Sequence, residues 1–285
     1  SPALGQLDTE WEMVEQYVYR RVVVESSPFR GRLTLLPASE SIEQCGFFDT
    51  ETTGLSAGAG TIIFLFGIGN IKNDALMINQ LFLENFAGER AFLEHIEGFI
   101  SKFKILISFN GKAFDRRILE SRFVMDGRSP GTHEHIDLLY PSRKIWSSII
   151  PDCRLKTLEK EVLEIERGHD IDGSEVPEIF FDFLFSGNLG RLREVFHHNH
   201  LDIVALAYLL DRIEQVFSGD ESMTVDYWGV GQLLHNREDL RANLFFWKGY
   251  KLGDLRCGTA LCREFKRIGS SNEAVMLWRD MVDRH

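Results

Sequence analysis

Asp49 and Glu51, in the stretch FFDTETTGL, stand two positions apart at the end of an apolar run. Residues i and i+2 of a strand share a face, so both carboxylates project to one side with their backbone positions about 6.5 to 7 Å apart. Charges so placed repel, and the repulsion is relieved by raised pKa values, by a basic partner or by divalent cations. Hard carboxylate oxygens suit Mg²⁺ or Mn²⁺, which makes a metal site the sharpest chemical reading. A D-x-E by itself is equally the acidic edge of a turn, so the reading depends on acids elsewhere in the chain.

Two further acids qualify. Asp115, in SFNGKAFDRRILESRF, stands early in a helical pattern that follows a strand, where a carboxylate also favours the helix dipole. Asp202, in EVFHHNHLDIVALAYLL, interrupts a largely apolar helix. His198 lies one turn before Asp202 and about 40° from it around the helix, whereas His197 lies about 140° away. His198 is the companion that geometry favours, and His197 the alternative.

The surrounding pattern supplies the elements that must hold these side chains. GFFDTE, TIIFLFGIGNI and ALMINQLFLENF read as three strands with short links, hence an antiparallel start. ERAFLEHIEGFISKF has helical spacing, KILISFN is a fourth strand, AFDRRILESRFVM a helix and HIDLLYP a fifth strand, giving the order βββαβαβ. Helical segments follow in RLKTLEKEVLEIE, in EIFFDFLFSG and from about Leu189 to Phe217. The expected fold is α/β: a mixed sheet, three antiparallel then parallel strands, flanked by helices, over residues 46–218. Residues 1–45 read as an N-terminal extension with short strands in YVYRRVVVE and GRLTLLP. Residues 226–285 read as a small all-helical C-terminal unit of paired, tetratricopeptide-like helices that offers a surface to a protein partner.

Composition narrows the function classes. A net charge of −11 argues against a protein that coats nucleic acid by bulk electrostatics. The charge is uneven, however: residues 110–156 carry nine Lys or Arg against six Asp or Glu, whereas 157–225 carry five against fifteen. A local basic surface is compatible with that distribution. The cysteines Cys45, Cys153, Cys257 and Cys262 form no paired framework or zinc spacing, which fits a reducing cytoplasm. The start is acidic rather than leader-like, and the longest apolar run is too short to span a bilayer, so no membrane association is expected. The GIGN and GAG stretches lack both the G-x-G-x-x-G spacing and a following helix, which excludes a dinucleotide loop. Asp170 and Asp172, in GHDIDGS, lack the full calcium-loop pattern and read as a turn.

With these motifs in order, FFDTETTGLSAGAGT, QLFLENF, SFNGKAFDRRILESRF, HIDLLYPSRKIW, CRLKTLEKEVL and FHHNHLDIVAL, the chain resembles the DEDD exonuclease superfamily of ribonuclease H-like proteins, and within it the bacterial YprB-type branch. The resemblance covers about Gly46 to Phe217. It implies a ribonuclease H-like sheet with Asp49, Glu51, Asp115 and Asp202 as ligands of two Mg²⁺ or Mn²⁺ ions, Asp49 between them, and 3'-to-5' hydrolysis of DNA or RNA. The superfamily places its general base four or five positions before the last Asp, as Tyr or His respectively. This chain has His at both, and the HNHLD arrangement favours His198 over His197. The resemblance also implies that Thr52 and Thr53 contact the terminal nucleotide and that Leu55 wedges against its base. Asn110 and Arg116 are further candidates for substrate contact, with Arg117, Arg143 and Lys144 for phosphates and Asp137, His133 and His135 as supporting groups. The competing readings are a non-catalytic nucleic-acid-binding or scaffold protein on a nuclease fold, and a structure-specific endonuclease.

Overall fold

The computed structural model describes residues 10–29, 33–37, 40–54, 58, 60–129, 131–220 and 222–283. These residues divide into two compact units, Ser1–Leu138 with Leu158–Arg212, and Leu139–Thr157 with Ile213–His285.

The first unit is built on a seven-stranded sheet of order β1-β2-β5-β4-β3-β6-β7, comprising β1 (Trp11–Glu15), β2 (Val18–Ser26), β3 (Cys45–Thr52), β4 (Ile63–Lys72), β5 (Ala75–Leu83), β6 (Ile105–Ser108) and β7 (Glu134–Asp137). β3, β4 and β5 are antiparallel, and β3-β6-β7 are parallel. The sheet is therefore mixed in the expected sense and ribonuclease H-like. The two N-terminal strands pair onto its edge through a nine-residue β2–β5 register, so the residues read as an extension enlarge the same sheet. No strand forms among the described residues of GRLTLLP.

Helices α1 (Glu89–Ile100) and α2 (Asp115–Met125) connect β5 to β6 and β6 to β7. α5 (Val176–Ser186) and α6 (Leu192–Ser218) follow α4 (Leu155–Glu161). Apolar residues of both strands and helices meet in one core. The Phe64 and Phe180 rings stack 3.9 Å apart, and Phe82 lies edge-on to Phe180, Phe183 and Phe196.

Two glycines explain how α6 reaches the sheet. A Cβ on Gly67 would lie 2.4 Å from Asn199 Oδ1, and one on Gly69 would lie 2.7 Å from Ile203 Cγ2. The GIG stretch of β4 thus serves backbone approach to a helix, since only a residue without a side chain leaves that space.

HIDLLYP was expected to be a strand throughout, but β7 stops at Asp137 and α3 (Leu139–Trp146) begins two residues later. The Asp137 carboxylate accepts from the backbone N–H of Asn110 at 2.8 Å and of Lys112 at 3.1 Å, which ties the strand end to the β6–α2 loop. Pro141 then falls in the first turn of α3, where its missing N–H costs no helical bond. The helix expected across RLKTLEKEVLEIE ends at Glu161, and the backbone turns left-handed at Glu164 (φ 57°).

The second unit contains α3 with α7 (Tyr227–His235), α8 (Ala242–Lys251), α9 (Leu255–Arg267) and α10 (Ser271–Asp283). Successive helices from α7 to α10 pack on one another, with Asp226 and Asp254 capping the starts of α7 and α9. No described helix is long and apolar enough to cross a membrane.

Candidate active site

β6 pairs with β3 only as far as Phe47↔Ile107, so the part of β3 that carries Asp49 and Glu51 runs on beyond its parallel neighbour. The β6–α2 loop returns there and delivers Asp115 as the first residue of α2. Thr50 Oγ1 donates to Asp115 Oδ1, joining the strand to the helix start. On the other side, α6 supplies Asn199, whose Nδ2 donates to Asp49 Oδ2 at 2.9 Å and approaches the Asp49 carbonyl at 3.3 Å. Asn199 is fully buried and itself accepts from Gln80 Nε2 at 2.8 Å. Gln80 accepts in turn from Arg21 Nε at 3.0 Å, so a polar relay runs from β2 across the sheet to Asp49.

The four sequence-predicted acids lie near enough to repel one another. Burial raises the Asp49 carboxyl well above its ordinary range, as does repulsion from Asp202, Asp115 and Glu51, while the Asn199 hydrogen bond opposes the rise. Burial and repulsion from Asp202, Asp115 and Asp170 raise Glu51 in the same way, with Arg167 opposing. Asp115 is pushed up to about 6 by burial, against the lowering effect of the Thr50 bond. Carboxylates held this close without enough positive charge favour the uptake of protons or cations.

The donor chemistry fits Mg²⁺ or Mn²⁺, because every group is a hard oxygen donor and the cluster carries surplus negative charge. Among the described residues, however, no three His, Cys, Asp or Glu side chains are set as a ready cage around one ion. Asp202 Oδ1 accepts from Arg167 Nη2, and Asp115 Oδ1 accepts from Thr50 Oγ1.

The two histidines differ plainly. His198 is buried, with Nδ1 2.7 Å from Asp170 Oδ1 and Nε2 3.7 Å from Asp202 Oδ2. His197 is exposed. Asp170, which the sequence placed in a plain turn, therefore faces the imidazole. Arg167, Glu159 and Asn199 are further site neighbours that no motif singled out. Glu159 and Asn199 lie unremarked within CRLKTLEKEVL and FHHNHLDIVAL, and Arg167 lies in the acid-rich ERGHDIDG, which looks like an ordinary solvated loop.

The expected substrate contacts are distributed less simply. Thr52 Oγ1 donates to the Gly54 carbonyl at 2.8 Å, and Thr53 Oγ1 accepts from Ile62 N–H at 3.0 Å, so both hydroxyls shape the turn after β3. Leu55 lies outside the described residues. Asn110 is exposed in the β6–α2 loop with a left-handed backbone (φ 60°), a conformation asparagine tolerates. Arg116 bonds Glu120 on its own helix at 2.6 Å, and Arg117 is exposed. Arg143 and Lys144 belong to α3 of the second unit, where Lys144 Nζ stands 5.6 Å over the Trp228 ring. His135 is buried with Nε2 2.7 Å from Ser108 Oγ, and His133 Nδ1 lies 3.0 Å from the Phe103 carbonyl.

A family model described as the RNase_H superfamily matches residues 46–214. The chain is 37% identical over 168 residues to the uncharacterized protein YprB of Bacillus subtilis (strain 168), an alignment taking in 57% of this chain and 40% of that protein. Similar solved structures include the family B DNA polymerase from the hyperthermophilic archaeon Pyrobaculum calidifontis. It is 12% identical with a TM-score of 0.49, over 83% of this chain and 34% of that one. Another is the zinc-ion-bound E. coli ExoI–ssDNA complex, 15% identical with a TM-score of 0.41, over 60% of this chain and 40% of that one. The chain thus spans less than half the length of each of these relatives.

Proposed function

Since the chain belongs to the RNase H superfamily, we propose that it is a metal-dependent nuclease, a 3'-to-5' exonuclease acting on a DNA or RNA end. What supports this reading is that Asp49 and Glu51 end β3, that Asp115 is bonded to Thr50 of that strand, and that α6, which carries Asp202, is bonded to Asp49 through Asn199: four acids from three separate elements. A purely structural role gains nothing from desolvated like charges, which cost stability unless something compensates them.

In this reading Asp49, Glu51, Asp115 and Asp202 hold two Mg²⁺ or Mn²⁺ ions. Bound there, the metal supplies Lewis-acid activation and neutralises charge developing on the phosphodiester oxygens. His198 takes a proton from the attacking water at Nε2, because Asp170 faces Nδ1 and so favours the tautomer protonated there. Asn199 fixes the Asp49 carboxylate and Thr50 fixes that of Asp115. The turn shaped by Thr52 and Thr53, with Leu55, borders the terminal nucleotide, and Asn110 stands on the loop that flanks it. An i,i+4 pair such as Arg116–Glu120 is worth only about 0.3–0.5 kcal/mol, so the guanidinium can turn to a phosphate at little cost. A reducing, cytoplasmic setting is part of the proposal, on the scattered spacing of the four cysteines in the sequence.

The test is release of nucleotides from a 3'-labelled single strand or duplex, as DNA and as RNA, with Mg²⁺ or Mn²⁺. Activity should vanish with EDTA and in folded Asp49→Asn protein. Cleavage of circular single strands, which have no 3' end, would convert the reading to an endonuclease. Metal-independent activity, or none on any substrate, would remove it.

A further inference from the structure

Arg167 belongs to none of the motifs that suggested the site, yet it is the most enclosed cation beside it, with its side chain 7% exposed. It lies in the segment between α4 and α5. Its Nε and Nη2 each donate to the Glu159 carboxylate at 2.8 Å, and its Nη1 donates to Asp170 Oδ2 at 3.1 Å. Nη2 also donates to Asp202 Oδ1, and Nη1 stands 3.5 Å from His198 Nδ1. Glu159 and Asp170 are nearly as enclosed, at 4% and 5% side-chain exposure. Three carboxylates therefore surround one guanidinium, and two of them touch groups assigned to the chemistry: Asp202 directly, and Asp170 through His198.

The geometry separates two roles for such a cation. A mobile counter-charge, held by Asp202 alone, would merely fill the place of a metal and leave when one arrived. Arg167 is instead anchored away from the cluster by a two-point bond to Glu159, and the planar fork leaves little freedom once both ends are engaged. It takes one oxygen of Asp202 and leaves Oδ2 on the His198 side. Asp202 needs such a hold, because Asp49 and Glu51 repel it and an aspartate on a helix is otherwise free to rotate away from them.

We propose that Arg167 is a positioning residue of the nuclease site: anchored by Glu159, it fixes the Asp202 carboxylate through Oδ1, leaving Oδ2 for an ion, and, through Asp170, fixes the His198 ring. The inference rests on the nuclease reading above. It adds a fixed support from a loop outside the family's acidic motifs, and it makes Glu159 the base of that support.

Mn²⁺ binding measured by titration calorimetry on the full chain tests it without reference to turnover. Wild type should bind Mn²⁺, and Asp49→Asn should not. Groups that orient metal ligands typically contribute about 10- to 100-fold in metal affinity. Arg167→Gln and Arg167→Lys should therefore both bind at least about tenfold more weakly, the lysine failing because it keeps the charge but loses the fork. Glu159→Gln should weaken binding to a smaller degree, and it keeps the question answerable if the Arg167 variants do not fold. Tighter Mn²⁺ binding by Arg167→Gln, with Arg167→Lys unchanged, would show a simple competing charge and overturn the proposal. So would wild-type affinity in folded Glu159→Gln and Arg167→Lys. If wild type itself binds no Mn²⁺, the nuclease reading fails first and takes this one with it. If Asp49→Asn abolishes binding while the Arg167 variants leave it intact, only the positioning role fails.

Discussion

The Asp170 carboxylate lies 2.7 Å from Nδ1 of His198, while the opposite ring nitrogen faces Asp202. A loop acid and a helix histidine 28 residues apart thus form a dyad that orients the imidazole toward the acidic cluster. On this arrangement the proposed mechanism makes His198 the base. His198→Ala should lower turnover by at least about 100-fold, in line with the usual contribution of a positioned base, and His197→Ala should remain near wild type. Single-turnover rates at saturating metal decide between them, and equal losses in the two variants would remove the assignment.

Asp170→Asn keeps the shape of the dyad but offers Nδ1 a different partner. Turnover should fall by about tenfold or more, with the substrate KM little changed, because the altered group orients a base and touches no substrate. A loss confined to KM would point instead to a role in binding.

The carboxylate cluster should weaken the metal-free protein. Glu51→Gln removes one desolvated, repelled charge and should raise unfolding free energy by about 1–2 kcal/mol in EDTA while abolishing activity. Addition of Mg²⁺ should stabilise wild type more than the variant, since only an ion that binds the native state shifts its unfolding. Denaturant melts with and without metal measure both effects.

Gly67 and Asn199 are in such close approach that a methyl group has no room. Gly67→Ala would place its Cβ 2.4 Å from Asn199 Oδ1, and overpacking of this kind costs about 1–3 kcal/mol. Because Asn199 holds Asp49, activity should fall along with stability, even at temperatures where the variant remains fully folded. Wild-type turnover in the folded variant would show that α6 yields without disturbing Asp49.

His135 gives the fold a pH dependence of definite sign. Burial, followed by the nearby Arg116 and partly opposed by Asp137, lowers it from the ordinary 6.5 to about 4. Between those values the unfolded chain binds more protons than the native one, so stability is fully present above about pH 6.5 and is lost as pH falls toward 4. The contribution is at most about 3 kcal/mol. The difference in unfolding free energy between wild type and His135→Gln, whose amide can still meet Ser108, should shrink by that order over this window. A pH-independent difference would contradict the buried neutral imidazole.

The alternating and helical periodicities of residues 46–218 made most of the sheet and its connecting helices legible, because each strand buries enough apolar surface to mark itself locally. Asp49, Glu51 and Asp202 were legible too, as charges at the end of or within apolar elements, and Asp115 as the early-helix acid of SFNGKAFDRRILESRF. HIDLLYP misled because its strand ends through Asp137 side-chain bonds to a loop more than twenty residues earlier, which no local pattern records. YVYRRVVVE was readable as a strand, but its place at the sheet edge depends on pairing with β5, more than fifty residues away.

By itself, then, the sequence determined the fold class and the presence of four misplaced acids, since hydrophobic period and stranded charge are properties of short segments. Only the tertiary structure decided which histidine faces them, that ERGHDIDG is part of the site, and that Arg167 joins Glu159, Asp170 and Asp202. Ion pairs and hydrogen bonds form between groups that distant parts of the chain bring within about 3 Å of one another, and their residue types carry no signal of that meeting until the backbone has closed around them.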